Sequence, residues 1–193
     1  MKLSEQKKQA IVEAAIELFS EQGFARTRMD DIADRAGASK RTVYKHFSNK
    51  EHLFFHIVDL MMILFANENE LNLEDLDEKS QLAALIRQQI DILCSEQMIR
   101  LSRVVLAATL NKDVDMTEVQ ARLNKPEAAL RRWLEKQIAD GFLAGKSAEE
   151  FELSILSTIK GRFFWPQLVG YMPAPSKQEK CNVINDIITF VTK

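Results

Sequence analysis

TRMDDIADRAGASKRTVYKHFSNK, residues Thr27 to Lys50, holds two short helical patterns separated by a single glycine. Ile32, Ala33 and Ala36 recur at helical intervals, Gly37 interrupts them, and Val43, Tyr44 and Phe47 resume the spacing. This predicts a helix-turn-helix with the start of a third helix behind it. Ala33, four residues before Gly37, is small enough for the second helix to approach closely, and Val43, six after it, can plug the crossing. Gly37 can take the left-handed conformation that turns the chain without a Cβ penalty. The second helix of the motif, Lys40 to Phe47, sets the core anchors Val43 and Phe47 against an outward face of Lys40, Arg41, Thr42, Tyr44, Lys45 and His46. Such a face suits a DNA groove. A basic two-helix corner also suits a helical adaptor that binds an acidic protein, and the pattern alone leaves both readings open.

The flanks narrow the choice. Ahead of the motif stands LFSEQGFARTRMDDIA and behind it VYKHFSNKEHLF. Through Phe19, Gly23, Phe24, Thr27, Ile32, Ala33, Ala36, Gly37, Ser39, Tyr44, Phe47, Lys50, Glu51 and Leu53 the chain resembles the amino-terminal domain of the TetR family of transcriptional repressors. Arg41 stands where glycine is most common in that family and Ala38 where valine is frequent; the first bears on how closely backbone approaches phosphate, not on the fold. The residues expected to contact double-stranded DNA are Thr27, Arg28, Ser39, Lys40, Arg41, Thr42, Tyr44, Lys45, His46 and Lys50. Tyr44 and Lys50 fall where the family places phosphate contacts, and Lys40, Thr42 and Lys45 are expected to face base edges. The resemblance further implies a homodimer joined through the last two helices and a small-molecule effector that alters the separation of two DNA-reading heads.

Whole-chain composition agrees with a regulator of this kind. At 193 residues, 46% of them hydrophobic and 28% charged, the chain is long enough to bury a core unaided. No stretch has the ~18 uninterrupted apolar residues of a membrane helix, and MKLSEQKKQ lacks a signal-peptide core, so no membrane association and a cytoplasmic location are expected. Residues 1–50 hold ten Lys and Arg against seven Asp and Glu, and the remainder sixteen against twenty-one, so the net charge of −2 conceals a front of +3 and a back of −5. The basic excess sits where nucleic acid would bind. Cys94 and Cys181 lack metal-type spacing and read as free thiols.

In chain order, Ser4 is expected to cap a first helix whose apolar positions run from Ala10 to Phe19 and which stops at Gly23. Thr27 with Asp30, and Ser48 with Glu51, read as capping boxes for the second and fourth helices. Leu53 to Phe65 predicts a long connector helix, so the chain divides into a DNA-binding domain, 1–50, and a helical effector-binding and dimerisation domain, 51–193. Between Gly37 and Gly141 there is no glycine, and before Pro126 no proline, so long helices follow: one through Leu82 to Leu93 and one from Met98 to Leu110. Asn111 to Asp115 reads as a turn, Asn124 with Pro126 and Glu127 as a helix start, Ser147 with Glu150 as another ending near Trp165-Pro166, and Ser176 with Glu179 as the last. No strand pattern occurs, and the fold class is all-α.

Three readings compete for the back half. Apolar stripes Phe151, Ile155, Ile159, Phe163 and Ile184, Ile187, Ile188, Val191 could form a four-helix dimer interface or cover their own core. Met61, Met62, Phe65, Met98, Trp133 and Phe164 supply adaptable lining for a partly apolar effector, although at least half of such residues are expected to be ordinary packing. His52 and His56 lie four apart on a helix, but no glutamate between them completes an HExxH motif, and no metal, cofactor or enzymatic chemistry is expected.

Overall fold

The computed structural model describes residues 3–66, 71–123 and 129–192. In chain order the helices are α1 Leu3–Gln22, α2 Met29–Arg35, α3 Lys40–His46, α4 Lys50–Ala66, α5 Glu78–Leu93, α6 Glu96–Leu110, α7 Met116–Leu123, α8 Ala129–Ala139, α9 Ala148–Ile159, α10 Trp165–Leu168 and α11 Lys177–Val191. No strand occurs among the described residues.

Capping chemistry sets the boundaries, and in places it differs from the sequence expectation. Ser4 lies inside α1. The Thr27 hydroxyl donates back to the Gly23 carbonyl at 2.9 Å, so α2 starts one residue later, with the Arg28 N–H donating to the Asp31 carboxylate at 3.2 Å. At α4 the cap is Asn49, whose Oδ1 accepts from the His52 N–H at 2.7 Å. The expected start at Asn124 lies outside the described residues. α7 was not anticipated, although Asp115, three residues before Glu118, carries the signal: its carboxylate accepts from the Thr117 N–H at 2.8 Å. Ser147 with Glu150 and Ser176 with Glu179 form the expected capping boxes.

The expected stop at Trp165-Pro166 is corrected. α9 passes through a π-helical turn, Lys160–Phe164, and α10 carries Pro166 within it to Leu168. Proline lacks an N–H and its ring crowds the carbonyl four residues back, here that of Arg162; the wider turn shifts that register, with the Trp165 N–H donating to the Lys160 carbonyl. Burial of Phe163, Phe164, Pro166, Gln167 and Leu168 holds the segment helical.

Packing sorts the chain into two compact units, Met1–Ile63 with Arg100–Lys125, and Leu64–Ile99 with Pro126–Lys193. The first is larger than 1–50 because α4 buries Leu53, Phe54, Ile57 and Val58 completely within it. One long helix and two short ones alone would bury too little surface. Arg122 adds an ion pair to Asp59 at 3.1 Å and stacks on Phe55, and Arg100 pairs with Glu13. In the second unit, α5 packs on α8, α9 and α11 around Leu82, Ile86, Ile90 and Leu93, with the Trp133 indole donating to Gln81 at 2.7 Å.

That core takes up the stripes expected at a dimer interface. Phe151, Ile155, Ile159, Phe163, Ile184, Ile187 and Val191 are buried within the single chain and Ile188 is half-buried. From α9 through the π-helical turn to the end cap of α10, an outward row recurs every four residues as Leu153, Ser157, Gly161, Trp165 and Val169, with Leu153 64%, Trp165 47% and Val169 65% exposed.

Candidate nucleic-acid interface

α2 and α3 meet at Gly37, whose φ of +60° only glycine adopts freely. The turn is closed by the Ala38 N–H donating to the Ala33 carbonyl at 3.0 Å and the Gly37 N–H to Asp34. Ile32, Ala33, Val43 and Phe47 are buried at the crossing, which fixes the rotation of α3 about its axis. The Ser39 hydroxyl caps α3 by accepting from the Thr42 N–H at 3.2 Å and lies 2.8 Å from the Thr42 hydroxyl.

With α3 so oriented, Arg28, Ser39, Lys40, Arg41, Tyr44 and Lys45 are exposed, and Thr42 and His46 half-exposed. Lys40 is partly engaged: its ammonium pairs with Asp30 at 2.7 Å, which raises its pKa and ties α3 to α2. Arg41 has no ion-pair partner among the described residues. It therefore presents an uncommitted guanidinium beside the Thr42 and Lys45 side of the helix. On the far side of α2, Arg35 forks between Glu17 and Glu21 of α1 at 3.0 and 2.9 Å, which holds the Glu21 carboxyl below its usual range. That pair braces the motif.

Two of the expected DNA contacts have other partners. Thr27 is buried, its hydroxyl bound to Gly23. Lys50 lies 4.4 Å from the Phe24 ring centroid and donates to the carbonyls of Phe24 (2.7 Å), Ala25 (3.2 Å) and Thr27 (3.0 Å), so all three ammonium protons are used. It gathers the loop that delivers Arg28. Lys50→Met should lower the thermal midpoint by roughly 3–6 °C, since charge-assisted hydrogen bonds at a half-exposed site are worth about 1.5 kcal/mol. It should weaken all duplexes alike by loosening Arg28. Calorimetry with parallel duplex titration checks this; weaker binding at an unchanged midpoint would mean direct phosphate contact instead.

His52 and His56 flank Phe47, ring centroids 5.6 and 5.4 Å from it, and burial with nearby Lys8 pushes the His56 pKa down. They support the packing of Phe47 behind the interface.

A model of bacterial regulatory proteins of the tetR family matches residues 11–57, and one for the C-terminal domain of AefR-like transcriptional repressors matches residues 80–193, more than half the chain. A TetR family transcriptional regulator from Pseudomonas syringae pv. tomato str. DC3000, known from a crystal structure, is 30% identical, with a TM-score of 0.79 over 96% of this chain and 94% of that one. The chain belongs to the TetR family of transcriptional regulators. As a TetR-family member it is a DNA-binding transcription factor, not an enzyme. The Fatty acid metabolism regulator protein of Bacillus subtilis (strain 168) is 23% identical over 159 residues, 80% of this chain and 78% of that protein. The transcriptional regulator FadR from Bacillus subtilis, crystallised in complex with stearoyl-CoA, shares the fold at 20% identity, with a TM-score of 0.64 over 96% of this chain and 97% of that one.

In this TetR-family chain the six residues expected around an effector lie elsewhere than in its described cavities. Met61 is buried in the first unit with the Ser102 hydroxyl 3.5 Å from its sulfur, Met62 and Phe65 are half-buried, and Met98, Trp133 and Phe164 are buried in the second unit. A cavity of about 550 Å³ opens instead beside α5, lined by Leu64, Leu71, Ala84, Arg87, Gln88, Asp91, Ile92, Ser95 and Gln97. The sequence signal for it was an arginine two turns inside an otherwise regular amphipathic helix, too common a feature to single out.

Proposed function

We propose that this chain is a ligand-released repressor that binds a palindromic operator as a homodimer. The observation that carries the reading is the outward face of α3, where Arg41, Thr42, Tyr44 and Lys45 stand away from a rotation-fixing core of Val43 and Phe47. In a symmetric dimer two such faces would enter successive major grooves, about 34–36 Å apart. Arg28, Ser39, Tyr44 and His46 are assigned to backbone positioning, and Arg41, Thr42 and Lys45 to base edges, with Lys40 steering α3 through Asp30. Thr27 and Lys50 then act by shaping the loop ahead of α2.

Support for a ligand comes from the stearoyl-CoA complex of the structurally similar Bacillus subtilis regulator, which favours a partly apolar, anionic effector here. The dimer is assigned to the outward face of α9 and α10, through Leu153, Trp165 and Val169, with Phe190 of α11 beside it.

The test is selection of preferred duplexes by the intact protein and by Arg41→Ala. A guanidinium reading guanine O6 and N7 is worth about 1–3 kcal/mol, so the variant should lose roughly 5–150-fold on the selected operator and relax preference at one base pair per half-site. Uniform weakening with a flatter salt dependence would move Arg41 to the phosphates. Failure of the intact protein to prefer any duplex would favour the adaptor reading instead.

A further inference from the structure

The cavity beside α5 has a division of labour in its walls. Leu64, Leu71, Ala84 and Ile92 give it an apolar side, and Arg87, Gln88, Asp91, Ser95 and Gln97 a polar one. The charges on that polar side are unequal. Asp91 is neutralised by Lys180 of α11 at 2.6 Å. Arg87 has no carboxylate within ion-pair distance among the described residues, and its contact is the Cys181 sulfur at 3.9 Å, too weak an acceptor to satisfy a guanidinium. Arg87, Asp91 and Lys180 together therefore leave one positive charge at the rim of an apolar slot.

A volume of about 550 Å³ falls within the range of small-molecule sites, ~300–1,000 Å³. The cavity is too small for a long-chain acyl nucleotide thioester to be enclosed whole. Its volume, apolar lining and unbalanced positive charge fit a molecule with a short apolar body and a single anionic head. The head would pair with the Arg87 fork, which matches a carboxylate in two parallel hydrogen bonds, while Ser95 and Gln97 supply polar neighbours. A cationic head would meet Arg87 with like charge, and a neutral one would leave the guanidinium as it is.

We propose that this cavity binds an aliphatic carboxylate of medium chain length, with Arg87 holding the carboxylate and Leu64, Leu71, Ala84 and Ile92 holding the chain. As an effector site the proposal rests on the ligand-released reading above; as a binding site it stands apart from it.

The experiment uses the full chain, titrated calorimetrically with decanoate, decanol and decylamine, each below its aggregation threshold. Decanoate should bind about tenfold or more tighter than decanol, and decylamine weakest of the three. Arg87→Gln, a change at an exposed side chain, should bring decanoate to the level of decanol, and Arg87→Lys should retain part of the preference. Ala84→Trp, which fills the slot, should weaken decanoate and decanol together. Decylamine binding as tightly as decanoate, a decanoate preference that survives Arg87→Gln, or no binding of any probe would overturn the proposal. Operator release measured in parallel separates the two readings. Binding through Arg87 without release would uphold the site and end its effector role, whereas release by decanoate that persists in Arg87→Gln would uphold ligand control and overturn this site.

Discussion

Phe54→Ala should remove about 3–5 kcal/mol from the first unit, the range for truncating a buried aromatic side chain. Phe54 has no exposed surface, and its ring lies 5.4 Å from Phe24 and 6.4 Å from Phe19, both edge-on, and 5.8 Å from Phe55. Edge-to-face pairs of this kind add ~0.5–1.5 kcal/mol beyond the area they bury, so the loss includes geometry as well as hydrophobic contact. The cavity left would sit between α1, the loop after it and α4. Domains are stable by only ~5–15 kcal/mol, so the change should lower the thermal midpoint by roughly 6–20 °C and leave the helix-turn-helix partly open near growth temperatures. Operator binding should fall with it, although no DNA-facing side chain has changed. Phe54→Leu, which keeps most of the volume, should cost much less. Scanning calorimetry with amide exchange decides the matter: exchange should quicken across α1 to α4, and a midpoint drop below about 3 °C would show that the aromatic cluster does not hold this unit together.

If the dimer proposed above forms through this face, Leu153→Glu combined with Trp165→Glu, which sets like charges against each other, should give a monomer in solution and weaken operator binding about 10²–10⁴-fold. That range is what is lost when two linked half-site contacts become independent. Both side chains are exposed in the single chain, so neither substitution removes a core contact. Ile155→Ala is the contrasting change: Ile155 is 1% exposed, and its truncation should cost about 2–5 kcal/mol of stability while leaving the proposed contact surface in place. Sedimentation velocity and thermal unfolding separate the two effects. A double variant that remains dimeric would place the interface away from α9 and α10, with Phe190 and the exposed face of α11 the next surface to test.

Much of this protein is legible in its sequence because the informative relations are local. Gly37 between two short apolar periodicities specifies the turn of the helix-turn-helix, and Ser147 with Glu150 or Ser176 with Glu179 specifies where a helix starts, since a cap and its partner lie within one turn of each other. The family resemblance extended that reading to function by the same short-range means, through residues clustered between Phe19 and Leu53.

What depended on tertiary structure was the partner of each face. Periodicity shows that Phe151, Ile155, Ile159 and Ile184 share apolar stripes, but not whether a second subunit or the chain's own α5 covers them; here the chain covers them. Lys50 offered the same charge to the solvent-facing and inward readings, and the carbonyls that take its protons lie 23 to 26 residues earlier in the sequence. Pro166 should end a helix by its local chemistry, yet burial of its neighbours outweighs that preference and the backbone yields one wide turn instead. Arg87 reads as a solvated surface charge until Asp91, its neighbour one turn on, is found neutralised by Lys180, 89 residues away, which leaves the arginine as the open charge at an apolar cavity. Local spacing decides which residues can form a helix, a turn or a cap. Which charges and apolar faces remain free afterwards is decided by long-range packing.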